Sequence, residues 1–363
     1  MIDVSHFNYV KLSPDGSKAT ISAGAKLGQI YEQLERNGKT INGGICPTVG
    51  LGGYLGSGGY NMQQRLYGLA VDYVTKIKLV LADGRMVTAS KTENKDLYWA
   101  ARGGGTYGFV VETEFETRVI PRSAMVFANF TAETRTEVLQ KYNDWAAKQD
   151  PAFNSQINLY STYANLLGWY VGKSVEELKA IWKSSGLDQI KGATIKITGN
   201  CSTKNSRNFW VYTQTECGND AEAEKLYDTF YNVVPDNFGP VPGAVTQFGF
   251  DAVPALPDRP KANPWPRIAV INKTFFVRKS RPLTKEDVKY ITEKSGALAP
   301  ELRFWSEITT FNITKATNSA FAWQAEALYL YRVSVEPAAD PKITAQGQKF
   351  IDDVEAYLVP KIG

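Results

Sequence analysis

The sequence predicts an α+β protein in two parts, and three observations carry that reading. Segments with period-two alternation and segments with helical spacing are mixed along the chain, the pattern of helices laid over one face of an antiparallel sheet. The pattern changes character at Pro121, which marks a boundary between residues 1–120 and 121–363. In the first part lies Gly43–Gly59, GGICPTVGLGGYLGSGG, dense in glycine and almost without charge. Glycine lets a backbone pass close to a ligand and reach positive φ. A solvated linker would carry Ser, Pro and charge instead. Val49, Leu51, Tyr54 and Leu55 add apolar and aromatic surface, so the run reads as backbone wrapped around a large flat ligand.

Residues 2–23 read as two short strands around the turn Ser13-Pro14-Asp15-Gly16. Gly24–Gly38 reads as a helix, with Leu27, Ile30, Tyr31 and Leu34 on one face and Gly38 as its cap. Val74–Leu81 alternates and turns through Asp83-Gly84 into Val87–Ala89. Asn94–Ala101 reads as a short helix, Gly103–Gly105 breaks it, and Phe109–Val119 alternates as a strand. Beyond Pro121, strands are expected at Met125–Phe130, Asn158–Tyr163, Ile195–Thr198, Ala244–Phe250, Arg267–Phe275 and Ala325–Val335. Helices are expected at Ala132–Lys148, Ser174–Ser185, Thr284–Ser295 and Ile343–Leu358, and a proline-rich loop at Pro254–Pro266.

Composition narrows the function classes. With 363 residues, 43% of them hydrophobic and 21% charged, the chain can bury a substantial core. The net charge of +4 is small and its basic residues are dispersed, so nucleic acid is not an expected partner. No run of 18 apolar residues suggests a membrane span. The start, MIDVSHFNYV, does not read as a signal peptide. No metal site is expected, and the single histidine, His6, reads as a surface or turn residue. Cys201 and Cys217 are spaced as a hairpin-bridging pair, and N-x-S/T sequons occur at Asn129, Asn200, Asn272 and Asn312. Together these favour a secreted parent protein.

Cys46 precedes Pro47-Thr48-Val49-Gly50. RLYGLAVDYV at Arg65–Val74, IKLVLADGRMVTAS at Ile77–Ser90 and NKDLYWAARGGGTYGFVVETEF at Asn94–Phe115 follow it. These four segments, in this order, resemble the FAD-binding PCMH-type domain of the berberine-bridge-enzyme-like branch of the vanillyl-alcohol-oxidase family. The resemblance is strong over residues 1–120 and weak beyond. It implies the second part of an FAD domain followed by an antiparallel-sheet substrate domain backed by helices. It implies FAD as cofactor, with Cys46 as a covalent attachment point. It implies Thr48, Val49, Gly50, Gly52, Gly53 and Tyr54 around the flavin ring and ribityl chain, with Gly58 and Gly59 beyond them. Gly108 and Val110 would approach the adenine side. Taken by itself, Cys46 reads equally well as a small buried hydrophobe.

The resemblance also implies that both ends are missing. Met1–Ser5 resembles the inside of a strand that the family precedes with a Gly-Gly-His pyrophosphate loop. Gln348–Gly363 resembles the helix before the family's closing segment. The implied activity is oxidation of an alcohol, sugar or specialised metabolite by hydride transfer to flavin, with O₂ as acceptor. The alternative is a non-catalytic remnant unable to hold FAD. For the proton-abstracting group, alternation in Ala320–Glu336 places Tyr329 and Tyr331 on one face and Glu326 and Arg332 on the other. The two tyrosines are the catalytic candidates, and packing in a core is their other reading. Nothing in the sequence fixes an oligomeric state.

Overall fold

The computed structural model describes residues 4, 7–44, 49–105, 108–202, 270–299, 301–315, 317–338 and 340–362. Its first part contains β1 (Val10–Leu12), β2 (Lys18–Ser22), α1 (Leu27–Glu35), β3 (Lys39–Thr40), α2 (Leu51–Gly56) and α3 (Gln64–Tyr67). These are followed by β4 (Val74–Val80), β5 (Met86–Ser90), α4 (Lys95–Ala100), β6 (Phe109–Glu116) and β7 (Arg118–Val119). Five strands form an antiparallel sheet in the order β1-β2-β6-β4-β5, and β3 pairs with β7. The helix stripe read from the sequence is the buried one: Leu27, Ile30, Tyr31 and Leu34 are fully buried with Ala19, Ile21 and Phe115 of the sheet.

The second part holds β8 (Arg122–Thr131), α5 (Arg135–Trp145), β9 (Phe153–Leu159), β10 (Tyr163–Val171), α6 (Val175–Lys183) and β11 (Thr194–Ser202). It continues with β12 (Ile271–Arg278), α7 (Lys285–Gly296), β13 (Phe304–Thr310), β14 (Ala327–Val335) and α8 (Pro341–Ile362). Seven strands form one antiparallel sheet in the order β11-β8-β10-β9-β13-β14-β12. Its two faces differ sharply. One cross-strand row reads Phe275, Tyr331, Ile308, Ile157, Leu166, Ala128, Ile195, and it packs beneath the helices. The next row, pointing the other way, reads Thr274, Arg332, Glu307, Asn158, Asn165, Asn129, Thr194. Adjacent rows of a sheet point to opposite faces, so one face is apolar and helix-covered while the other carries a polar line across every strand.

Both β10 and β13 go beyond the expected elements. Nearly every residue of each is buried, so period-two alternation is absent. The stretch expected as one strand at Asn158–Tyr163 is the end of β9, a turn and the start of β10. The expected strand at Ala244–Phe250 and the loop at Pro254–Pro266 lie outside the described residues.

The two parts are locked together through buried polar groups. Arg65, on α3, is 1% exposed, and its guanidinium reaches the second part. It donates to the carbonyls of Ala147 (3.0 Å), Gln149 (2.7 Å) and Asp150 (3.3 Å), and to that of Phe153. These acceptors end α5 and lead into β9, where helix carbonyls lack intrahelical partners. Burial lowers the Arg65 pKa, while the nearby phenols of Tyr329 and Tyr142 act in the other direction. Gln64 donates to the Thr310 carbonyl at 3.1 Å. Asp72 accepts from Gln324 at 2.8 and 2.9 Å and from Thr317, and Arg102 donates to the Asn318 carbonyl. The segment between β13 and β14 is thereby tied to the first part.

Candidate functional site

The glycine-dense run begins where Tyr31 of α1 donates to the Gly44 carbonyl at 2.6 Å. A Cβ on Gly43 would lie 2.0 Å from the Tyr31 hydroxyl, so close approach explains that glycine. Cys46 and Thr48 lie outside the described residues. After them, Val49 accepts from the Leu27 N–H at 3.0 Å and Gly50 pairs with Lys26, which seats the run at the start of α1. Gly50 then caps α2, on which Gly52, Gly53 and Tyr54 follow. The Tyr54 hydroxyl donates to the Tyr60 carbonyl at 2.7 Å, closing the run on itself.

Between α2 and the strands β4 and β6 lies a recess. Gly52, Leu55 and Gly56 line it on one side, Gly105, Gly108 and Val110 on another, and Ile77, Leu79 and Thr113 form its floor. The two glycine-rich segments meet directly, the Gly105 N–H donating to the Gly56 carbonyl at 3.0 Å. Three of the expected residues, Gly52, Gly108 and Val110, are thus brought together from segments more than fifty residues apart. Thr113 is 1% exposed, lines the recess, and its hydroxyl has no hydrogen-bond partner in the structure. A buried hydroxyl without a partner is uncommon and is satisfied by a ligand that reaches it. Bare glycine backbone lines the recess on both sides with an unmatched hydroxyl among its residues, and the space it encloses is small, about 20 Å³.

Gly58 and Gly59 sit elsewhere. Both are buried with positive φ, +89° and +76°. A Cβ would meet the Phe321 ring at 2.6 Å from Gly58 and the Ala70 side chain at 2.4 Å from Gly59. Their side-chain positions face protein, so packing accounts for both: against the second part at Gly58 and within the first part at Gly59.

The catalytic candidates require a correction. Tyr329 and Tyr331 are both fully buried on the helix-covered face of β14. The Tyr329 hydroxyl donates to the Asn143 carbonyl at 2.9 Å and accepts from the Ala147 N–H at 3.2 Å. Burial raises both phenol pKa values. They are core aromatics, because the alternation that aligned them also turned them away from the polar face.

That polar face holds a connected group the sequence reading passed over. Glu307 on β13, 5% exposed, accepts from Arg332 on β14 at 2.6 Å and from Gln156 on β9 at 3.5 Å, both at Oε2. Gln156 also donates to Asn158 Oδ1 at 2.6 Å and accepts from Thr309 at 3.3 Å, and Asn158 donates to Asn165 at 2.8 Å. Burial raises the Glu307 pKa, and the facing Arg332 offsets this only in part. The signal available beforehand was a lone acid, Glu307, in the otherwise uncharged run FWSEITT.

Cys201 is disulfide-bonded, and its expected partner Cys217 lies outside the described residues. Among the sequons, the Asn312 amide donates to the Ala147 carbonyl at 2.9 Å, while Asn272 is exposed on the edge strand β12.

Residues 1–90 match the family described as FAD binding domain. Over the whole chain, "FAD-linked oxidoreductase pytB" of Aspergillus terreus is 42% identical and "FAD-linked oxidoreductase pynB" of Aspergillus niger 39% identical. The chain spans 45% of the length of the first and 67% of the second. A solved structure, titled "Functional roles of the 6-s-cysteinyl, 8 alpha-N1-histidyl FAD in Glucooligosaccharide Oxidase from Acremonium strictum", superposes with a TM-score of 0.71 at 20% identity. That superposition covers 99% of this chain and 70% of the other. The chain belongs to the FAD-linked oxidoreductases of the berberine-bridge-enzyme-like family.

Proposed function

We propose that the chain forms the flavin-facing and substrate-facing body of an oxidase acting on an alcohol, a sugar or a specialised metabolite. Residues 1–120 would serve as the second part of the FAD domain and residues 121–363 as the substrate domain. The observation that carries this reading is the recess in which Gly52, Gly108 and Val110 meet over the unmatched Thr113 hydroxyl. Gly52, Gly108, Val110 and Thr113 would hold one portion of the cofactor. Val49, Gly50, Gly53 and Tyr54 would line its continuation along α2, and Cys46 would supply the covalent bond. The 6-S-cysteinyl linkage named for the glucooligosaccharide oxidase supports that role for Cys46. When bound, FAD supplies a two-electron acceptor that O₂ reoxidises. The chain's own contribution is to fix the ring edge, exclude water and present the substrate on the polar face of the larger sheet. The disulfide at Cys201 and the exposed sequon at Asn272 support a secreted protein.

The test is flavin content. The full-length parent protein purified from a eukaryotic host should be yellow, and its Cys46 tryptic peptide should carry the mass of FAD. Cys46→Ala should release that flavin on acid denaturation or leave a single linkage. An unmodified Cys46 peptide from yellow protein would refute the covalent bond. A colourless preparation would favour the non-catalytic reading.

A further inference from the structure

The N-x-S/T sequons differ in what surrounds them. The Asn312 amide is bound to the Ala147 carbonyl at 2.9 Å. Asn129-Phe130-Thr131 instead ends β8, where pairing opposes Asn129 to Asn165 and Thr194, and Thr131 to Tyr163. Residues opposite one another across antiparallel strands share a face, and so do residues two apart along one strand. Asn129, Thr131, Tyr163 and Thr194 therefore stand together on the polar face of the larger sheet. With Glu133 and Thr162 they line an open concavity of about 460 Å³. Asn129 is half-buried there, and among the described residues no group binds its amide. The Tyr163 ring is stacked on Tyr160, with centroids 4.3 Å and planes 15° apart. One side of the ring is thus taken, yet it remains 40% exposed and lines the concavity. Seven residues along β10, Tyr170 pairs with Phe153, whose carbonyl binds Arg65. That spacing puts Tyr163 roughly 20 Å from the joint between the two parts.

We propose that Asn129 carries an N-linked glycan whose first sugar lies in this concavity against the Tyr163 ring. The C–H face of a pyranose is apolar and packs on a flat ring, while its hydroxyl and N-acetyl groups need polar partners. Tyr163 offers the ring, and Thr194 and Glu133 offer the polar groups beside it. In the attachment step, Asn129 Nδ2 bonds to the anomeric carbon of a lipid-diphosphate-linked oligosaccharide supplied by the secretory host. The bond from that carbon to the diphosphate oxygen breaks, the diphosphate leaves with the electron pair, and one amide proton is released. Nothing is oxidised or reduced. The glycan covers the β8–β11 end of the polar row and leaves the Arg332–Glu307 end open. This assignment rests on the secreted reading of the parent protein, because only a chain entering that pathway meets the donor.

The test starts with the full chain expressed behind a cleavable secretory leader in a eukaryotic host. Amide-glycosidase treatment in heavy-oxygen water turns each formerly glycosylated asparagine into a labelled aspartate. The Asn129 peptide should be labelled in most of the secreted protein. A secreted, folded chain with an unlabelled Asn129 peptide would overturn the assignment, whatever the state of Asn272. Seating is read by melting after trimming every glycan to one sugar. In trimmed protein, Asn129→Gln should lower Tm by about 2 °C. That difference should vanish in a Tyr163→Ala background. No difference in the wild-type background, or an equal one in both, would overturn the contact with Tyr163. Labelling of the parent protein in its native host separates the two readings. A parent protein kept inside the cell and unlabelled at every sequon would remove the secreted reading and the native modification with it. A secreted parent protein unlabelled at Asn129 would overturn this assignment and leave secretion standing.

Discussion

Arg65 is the residue on which the joint between the two parts most depends. Its guanidinium is buried with backbone carbonyls as acceptors, so its charge is met by the end of α5 and the turn into β9, with the Asp150 charge nearby. Arg65→Met keeps the volume but leaves those carbonyls unmatched, and we expect a loss of about 3 kcal/mol or more in chemical denaturation. A loss below 1 kcal/mol would show that water replaces the guanidinium. At this scale the sequence was legible where a residue type is rare in its context. A cysteine in a glycine-dense run pointed to a ligand, and Gly52, Gly108 and Val110 do meet at one recess. It was illegible where a residue type is common. Arg65 reads like any surface arginine, and the alternation that paired Tyr329 with Tyr331 does not say which face looks at the core.

Helices were the most legible elements because their ends are written in side chains. Ser174 and Thr284 both open capping boxes, with Glu177 and Asp287 returning the bond. Strands β10 and β13 were illegible because burial on both faces erases the period-two signal. Asp287 makes the cap of α7 pH-sensitive. It is fully buried, accepts from the Thr284 N–H and hydroxyl at 2.8 Å each, and pairs with Arg281 at 3.0 Å and Lys361 of α8 at 3.6 Å. Burial alone would raise its pKa, but these donors together hold it below the usual carboxylate range. A depressed folded pKa contributes stability above the unfolded value of about 3.9, and that contribution is lost as pH falls through the folded value. Asp287→Asn should therefore cost about 2 kcal/mol at neutral pH. Its melting temperature should also fall less than that of the wild type between pH ~5 and ~2. Parallel acid profiles for the two proteins would contradict this.

At the scale of the whole molecule, every described strand up to Val119 and every described strand from Arg122 belongs to different sheets. What no local pattern could reveal is the strand order of the larger sheet. Reading across it, β11, β8, β10 and β9 come first, then β13, β14 and β12. Each block is contiguous in the chain, and the two touch through a single ladder, β9 with β13. The strands on either side of residues 203–269 stand at opposite edges of the sheet. A chain cut between Ser202 and Thr203 would thus lose no rung of any ladder described. The two polypeptides, 1–202 and 203–363, should assemble when expressed together and copurify through a tag on either one. Recovery of the tagged piece alone would show that the intact connection is needed. If they do assemble, the protein is a two-piece scaffold: the glycine-walled recess lies wholly on one piece and the Arg332–Glu307 pair on the other, so each could be varied and recombined independently.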